Sequence, residues 1–529
     1  MIRKSVAEVL DHHVTFELEA IDRMYVNGYV PSLQTGGGVV YFLKQHLGAR
    51  VPSTMMMAPL SERFVKAIEH FVETEGLDLV TFDKGQRKDD VAHEYLASFK
   101  GEEGVLFVGK AQEKASVFRT EKRRNADGST YPWIYRSTTP VNHYYVYILD
   151  RDFGPLFIKF CSYFPYAVKV CLNGHEWLKR QLTQRGIAYE PLDNGIRSSH
   201  DAARVQRIAN TLDAAKIDAV FRKWLRRLPH PFTAAHRAAG YRYQLSILQA
   251  EFALTQVLDR PRTGRGFFEE VMRENLDLGR PDQMQLIFNR RVSRQTPGHF
   301  RTRVLTEGVV PSLHVDYKKS RVKQYHKESQ ALRTETTINN TYDFEIGRAL
   351  RNLPALREIG FAANRRLLRV EYLSHDCLVG DDQLDALTQP VVVDTQRAAA
   401  LRVGDHRVLA LMQTLCLFAL SPTGFRHRDV RMHIAQFLGR GPDQYAAGQM
   451  TYDLRRLRLH GLIERVPHSH RYQITEQGAR IAVLYVRIYA RGFRPAASLP
   501  TSGTHRGPHG MERLDAALTT FLQEVRLVA

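Results

Sequence analysis

Only four cysteines, Cys161, Cys171, Cys377 and Cys416, occur in 529 residues. They are too few and too scattered for a disulfide scaffold or a cysteine-rich zinc module, so a reducing compartment is expected. No stretch approaches the ~18 uninterrupted apolar residues of a membrane span, and Met1–His13 lacks the apolar centre of a signal peptide. These absences point to a cytoplasmic protein with no membrane partner. Repeats of about 20–50 residues are not visible, and low complexity is confined to Ala496–Gly510. Acids are also in short supply: 56 Asp and Glu stand against 75 Lys and Arg, a formal charge of +19. A polyanion, DNA and/or RNA, is the partner that such a balance implies.

What is present is a globular composition, 43% hydrophobic and 25% charged, which excludes disorder as the main state. The length allows about three or four domains. Val14–Ile21 alternates with period two, as a half-buried strand does, while Phe64, Val65, Ile68 and Phe71 recur at helical spacing. Leu77–Phe82 and Gly104–Gly109 are expected to be strands and Asp89–Phe99 a helix. Tyr144–Leu149 and Leu156–Phe160 flank an Asp-, Gly- and Pro-containing turn and predict a hairpin. Residues 201–290 have the texture of helices. Gln285–Glu335 breaks into short apolar runs, followed by helices to about residue 375. The fold class expected is multidomain α+β / α/β. Its divisions are an N-terminal mixed α/β domain (1–195), a helical domain (196–284), a basic α+β domain with strands and loops (285–400), a C-terminal domain (401–495), and a linker with a terminal helix (496–529).

The C-terminal domain carries the most specific pattern. Val408–Leu415, Val430–Phe437 and Tyr445–His460 predict three helices, and Leu462–Val466 and Arg471–Thr475 predict two short strands around Pro467-His468-Ser469-His470. In the third helix Met450, Leu454 and Leu457 form an apolar stripe at i, i+4 and i+7, which puts Thr451, Arg455, Arg456 and Arg458 on the other side. The stretches Leu457–Arg465 and Tyr472–Gly478 resemble the winged helix-turn-helix family of DNA-binding domains over about a sixth of the chain. That resemblance implies a third helix in the major groove and a wing on the backbone, with Thr451, Arg455, Arg456 and Arg458 facing DNA and His470 and Arg471 near phosphates. Ser421–Arg494 holds 13 Arg, no Lys and 5 acids, in keeping with such a partner. A protein-docking role for the same module is the alternative.

The basic centre is a second candidate contact. Arg290, Arg291, Arg301, Arg303, Lys318, Lys319 and Lys323 lie among the 11 cations and 4 acids of Gln285–Glu335, with Tyr317 and Tyr325 between them. Cations interleaved with aromatics suit phosphate neutralisation and base stacking; a solvated charged face is the alternative. The Arg333-Thr334-Glu335 strand is similar to the Arg-x-Glu strands of rolling-circle replication initiators, which implies a metal-holding carboxylate at Glu335. The His-hydrophobic-His motif of those proteins has no counterpart: His468-Ser469-His470 falls in the wing. A structural Arg–Glu pair accounts for the same residues.

In the N-terminal domain Asp150, Asp152, Glu113 and Lys114 fall near strand ends, in an element order similar to restriction-endonuclease-like cores. The implied chemistry is Mg²⁺-dependent phosphodiester hydrolysis, although Glu113-Lys114 lacks the intervening residue of that pattern. Asn173-Gly174-His175-Glu176 suits a helix cap, and Gly36-Gly37-Gly38 lacks both the Walker and the Rossmann spacing. Lys159–Tyr166 and Asn364–Arg366 resemble stretches of large bacterial proteins, a likeness that implies no biochemical role. The expected function is nucleic-acid binding, with a metal-dependent nuclease as the enzymatic version and a non-catalytic scaffold or regulator as the alternative.

Overall fold

The computed structural model describes residues 12–260 except 84, residues 268, 287–288 and 299–305, residues 312–375 except 329, residues 387–402 and 405–418, and residues 424–489 except 442–443 and 468. Arg290, Arg291, the linker and the terminal helix lie outside these residues. Among the described residues no helix is long and apolar enough to cross a membrane.

An eleven-stranded mixed sheet forms the body. In chain order its strands are β1 (Val14–Tyr29), β2 (Leu79–Thr81), β3 (Gly104–Arg124), β4 (Thr130–Asp150), β5 (Gly154–Cys161), β6 (Val168–Asn173), then β9 (Gln244–Leu258), β10 (His299–Leu305), β11 (Ser312–Lys318), β12 (Ser320–Lys327) and β13 (Ala331–Ile338); a separate two-stranded ribbon, β7 (Glu190–Leu192) and β8 (Gly195–Ser198), falls between β6 and β9. Their order across the sheet is β10-β11-β12-β13-β9-β1-β6-β5-β4-β3-β2. Every pairing in it is antiparallel except β2 with β3.

That order contains a repeat of topology. β1 is followed, after a long connection, by the meander β3–β6, which ends beside β1; β9 is followed by the meander β10–β13, which ends beside β9. The two first strands pair with each other at the centre. The divisions expected at residues 195 and 284 therefore do not separate domains, because strands from both sides of each share one sheet. Of the stretch 201–290 expected to be helical, Ala202–Ala209, Ala214–Arg227 and Ala234–Ala238 are helices, whereas Gln244–Leu258 is a strand instead. Buried on both faces over most of its length, β9 has lost the alternation that marks a half-exposed strand.

Helices cover the sheet. They are α1 (Gly36–Leu47), α2 (Ala58–Thr74), α3 (Lys88–Ser98), α4 (Gly174–Gln184), α5 (Ala202–Ala209), α6 (Ala214–Arg227), α7 (Ala234–Ala238) and α8 (Leu353–His375). The main core unites strand residues such as Leu18, Ile158 and Phe252 with Phe64, Phe221 and Leu367 from helices. A smaller cluster, Phe82, Phe107, Tyr145, Tyr147 and Leu149, lies under α3, whose Val91, Tyr95 and Leu96 rest on it. Two of the three glycines at the start of α1 have a packing reason: a Cβ on Gly36 would lie 2.2 Å from the Ile134 carbonyl oxygen, and one on Gly38 would lie 1.7 Å from the Ser32 carbonyl oxygen.

The C-terminal unit comprises a ribbon, β14 (Val391–Val393) and β15 (Gln396–Ala398), then α9 (His406–Phe418), β16 (Phe425–Arg426), α10 (His427–Phe437), α11 (Ala447–Leu459), β17 (Ile463–Arg465), β18 (Arg471–Ile474) and α12 (Glu476–Ile488). Its three short strands pair in the order β16-β18-β17. The unit is fixed to the body through α8, where Arg480 donates to Tyr372 at 2.6 Å.

Candidate nucleic-acid interface

Near the middle of the sheet β1 departs twice from regular pairing with β9. Asp22 and Arg23 form an irregularity opposite Glu251, and Leu248 is the extra residue where Tyr25 pairs with Gln249 and Val26 with Ile247. Such bulges re-aim side chains. Each lies beside one of two polar clusters.

The first cluster centres on Arg333, which is 0% exposed. Its Nη2 donates to Asp22 Oδ2 at 2.8 Å and to His175 Nε2 at 2.7 Å. Nη1 donates to Thr255 Oγ1 at 2.7 Å and to the Asn194 carbonyl at 3.1 Å, and Nε to Glu335 Oε1 at 3.0 Å. The whole guanidinium fork is thus engaged. Glu335 also accepts from the Tyr325 hydroxyl at 2.9 Å. Burial pushes the Asp22 carboxyl up, but Arg333 and Asn194 outweigh it and hold it well below the usual range. Burial and then Arg333 push His175 down to about 3, so it is neutral and its Nε2 accepts a hydrogen bond from the guanidinium. Glu335 is raised by burial despite Arg333, and Glu251 is raised to about 7 by burial, then by Asp22 and Glu335.

Beside this network is a basin of about 410 Å³, lined by Tyr25, Tyr145, Tyr147, Phe157, Lys88, Lys159 and Lys169, with Gln249 and Asn339 closing one side. Lys159 and Lys169 stand directly opposite each other on β5 and β6. Lys88, the first residue of α3, donates to Glu113 Oε1 at 2.8 Å and to the Tyr145 hydroxyl at 2.9 Å. Lys159 and the Tyr145 hydroxyl donate to Glu113 as well. Burial would raise Glu113, yet these donors bring it down to about 2. The Lys159 ammonium is lowered by burial and by Lys169 and Lys88, in spite of Glu113.

The residues expected to be catalytic are not assembled. Asp150 is 1% exposed and saturated: Oδ1 accepts from the backbone N–H of Asp152 and Phe153, both at 2.9 Å, and Oδ2 from Lys223 at 2.8 Å and the Trp224 indole at 2.7 Å. It fastens the β4–β5 turn to α6. Asp152 is exposed and accepts from Gln184 at 3.0 Å. Lys114, exposed, follows Glu113 along β3 and so points to the other side of the strand. Glu113 is engaged by two ammonium groups and Glu335 by Arg333 and Tyr325. Among the described residues no three His, Cys, Asp or Glu side chains group to hold a metal ion. The expected Mg²⁺ set is therefore corrected to separate structural and electrostatic partners, and Arg333–Glu335 is an ion pair.

The basic centre is split. Lys323 lies on β12 with its ammonium 4.0 Å from the Tyr325 ring centre, and Lys318 donates to the Asp343 carbonyl at 3.3 Å. Lys319 is exposed. Arg301 and Arg303 belong to β10, but their side chains lie outside the described ones.

On the C-terminal unit, α11 buries Asp453 and Arg456 along with Met450, Leu454 and Leu457. Arg456 was expected to face DNA; instead it donates to the carbonyls of Ala399 (2.9 Å) and Ala400 and is 6% exposed. The reason is the preceding β14–β15 ribbon, whose exit covers that flank of the helix. Asp453 is held by Arg407 Nη2 at 2.9 Å and by the Tyr445 hydroxyl. Thr451, Tyr452, Arg455 and Arg458 form the exposed stripe. In the β17–β18 loop His470 is exposed, whereas Arg471 donates to the Gly424 carbonyl at 3.0 Å.

Asp22, Lys159, Lys169 and Tyr25 are the residues that pattern reasoning missed. The signal for Asp22 was an acid inside the apolar run Ala20–Val26.

Neither a family model nor a curated protein matches the chain. Among solved structures, a rolling circle replication initiator protein from Geobacillus stearothermophilus is similar at 8% identity, over 70% of this chain and 83% of that one, with a TM-score of 0.17. At that score the likeness supports no statement about this chain.

Proposed function

We propose that this protein is a nucleic-acid-binding protein with two contact surfaces: the sheet face around the lysine-tyrosine basin, and the exposed stripe of α11 with the β17–β18 loop acting as a winged-helix reader of duplex DNA. The observation that carries the reading is the basin, where Lys88, Lys159 and Lys169 lie with the half-buried rings of Tyr25 and Phe157 around one concavity. Ammonium groups neutralise phosphates and aromatic faces stack on bases. The α11 stripe adds Arg455 and Arg458 on a helix of a size that fits the major groove. A binding role is preferred to a hydrolytic one because the carboxylates that would carry hydrolysis already have structural partners. The test is binding of the full chain to labelled DNA and RNA across a salt series. Affinity should fall linearly with the logarithm of salt concentration; absence of binding at low salt, or binding indifferent to salt, rejects the reading.

A further inference from the structure

The basin has a feature that a general polyanion surface does not need. Lys159 and Lys169 are direct cross-strand partners, and like charges placed directly opposite in a sheet are unfavourable. Lys88 brings a third ammonium to the same space. Two carboxylates lie close by: Glu113, which serves Lys88 and Lys159, and the exposed Asp89. Lys169 makes no hydrogen bond or ion pair among the described residues. One cation, the exposed Lys169, is left over in the lining of a concave site, and a single phosphodiester charge would balance it.

The walls say what is attached to that charge. Tyr25 and Phe157 meet edge to face, with ring centres 6.3 Å apart, and Tyr147 lies 5.5 Å from Phe157. Tyr25 and Phe157 are only half-buried, so ring surface remains open to the basin. Gln249 and Asn339 line the basin as well, with their amide nitrogens donating to Glu251 Oε1 and to the Lys319 carbonyl, both at 2.8 Å. A volume of about 410 Å³ suits one nucleotide, but a paired base in a duplex cannot enter a pocket without leaving its stack. Resting on the reading above, we infer that the basin is a one-nucleotide pocket, with a phosphodiester at Lys169 and an unstacked base against Tyr25 and Phe157, which makes the sheet face selective for single-stranded over duplex nucleic acid.

The test uses the full chain with a labelled single strand of about 12 nucleotides and a hairpin duplex of similar length. Lys169→Glu is the principal variant, because Lys169 is exposed and its replacement leaves the core intact. It should weaken single-strand binding at least about tenfold and duplex binding less than about twofold. Tyr25→Leu should abolish the fluorescence change of a 2-aminopurine placed in the strand while thermal unfolding stays cooperative. Equal weakening of both probes, or of neither, by Lys169→Glu overturns the pocket, as does a 2-aminopurine signal that survives Tyr25→Leu. If the unmodified chain binds neither probe, the nucleic-acid reading itself falls.

Discussion

Arg333 on β13 and Asp22 on β1 meet at 2.8 Å across the intervening strand β9 and tie together the two topologically matching halves of the sheet. Both are buried, and Asp22 depends on Arg333 for charge compensation, while Arg333 is also paired with Glu335. Arg333→Met should therefore destabilise the fold by about 3–5 kcal/mol, because it leaves the Asp22 carboxylate buried without its cation. Adding Asp22→Asn should recover part of the loss. Denaturant unfolding of the two single variants and the double variant checks this, and a wild-type midpoint for Arg333→Met would contradict it.

Two neighbouring arginines of α11 should separate cleanly. Arg456→Ala strands two carbonyls and should cost about 1–3 kcal/mol of stability. Arg455→Ala, on the exposed stripe, should stay within about 0.5 kcal/mol in stability and weaken duplex binding by about 1–3 kcal/mol if it contacts a base. Thermal melts and anisotropy on the same preparations decide; reversed effects would mean that α11 presents its other face.

Much of the architecture was legible because its signals are local. The hairpin around Asp150 follows from Tyr144–Leu149, whose aromatic and β-branched residues favour strands, and from the turn residues Asp150 and Gly154, the latter at φ 69°. Asn173 caps α4 as its position suggests, accepting from His175 N at 2.8 Å. The long-range relations were not legible. Nothing near Arg456 announces that Ala399 and Ala400 will cover it, and the apolar stripe of α11 misjudged its buried width for that reason. The basin escaped notice because Lys88, Lys159 and Lys169 come from three elements whose adjacency is a property of the sheet order alone.

Glu371 on α8 predicts a pH dependence. It is fully buried, accepts from Gln324 Nε2 at 3.0 Å, and is raised by burial from 4.5 to about 8. Below pH 4.5 the carboxyl is protonated in both states and carries no penalty. Between pH 4.5 and 8 the unfolded chain ionises while the native chain retains the proton, so native stability falls as pH rises and levels off above about 8. Glu251, raised to about 7, acts in the same direction over part of the window. Glu371→Gln should raise Tm at pH 8, leave it nearly unchanged at pH 4.5, and flatten the slope between. A parallel shift at both values would assign the effect to packing.

Asp150 supplies the sharpest separation of structure from chemistry. All its hydrogen bonds go to the β4–β5 turn and to Lys223 and Trp224 of α6. Asp150→Ala leaves the Trp224 indole N–H without its acceptor, leaves Lys223 paired with Glu103 alone and opens the turn, so it should destabilise by about 2–4 kcal/mol, more than one unsatisfied buried donor costs. Trp224→Phe removes one donor and should cost about 1–3 kcal/mol. Neither residue lines the basin or the α11 stripe, so nucleic-acid affinity should match that of the unmodified chain at a temperature where each variant is folded. Loss of affinity or of any phosphodiesterase activity by folded Asp150→Ala would return this carboxylate to the functional surface; loss only on unfolding places it in the scaffold.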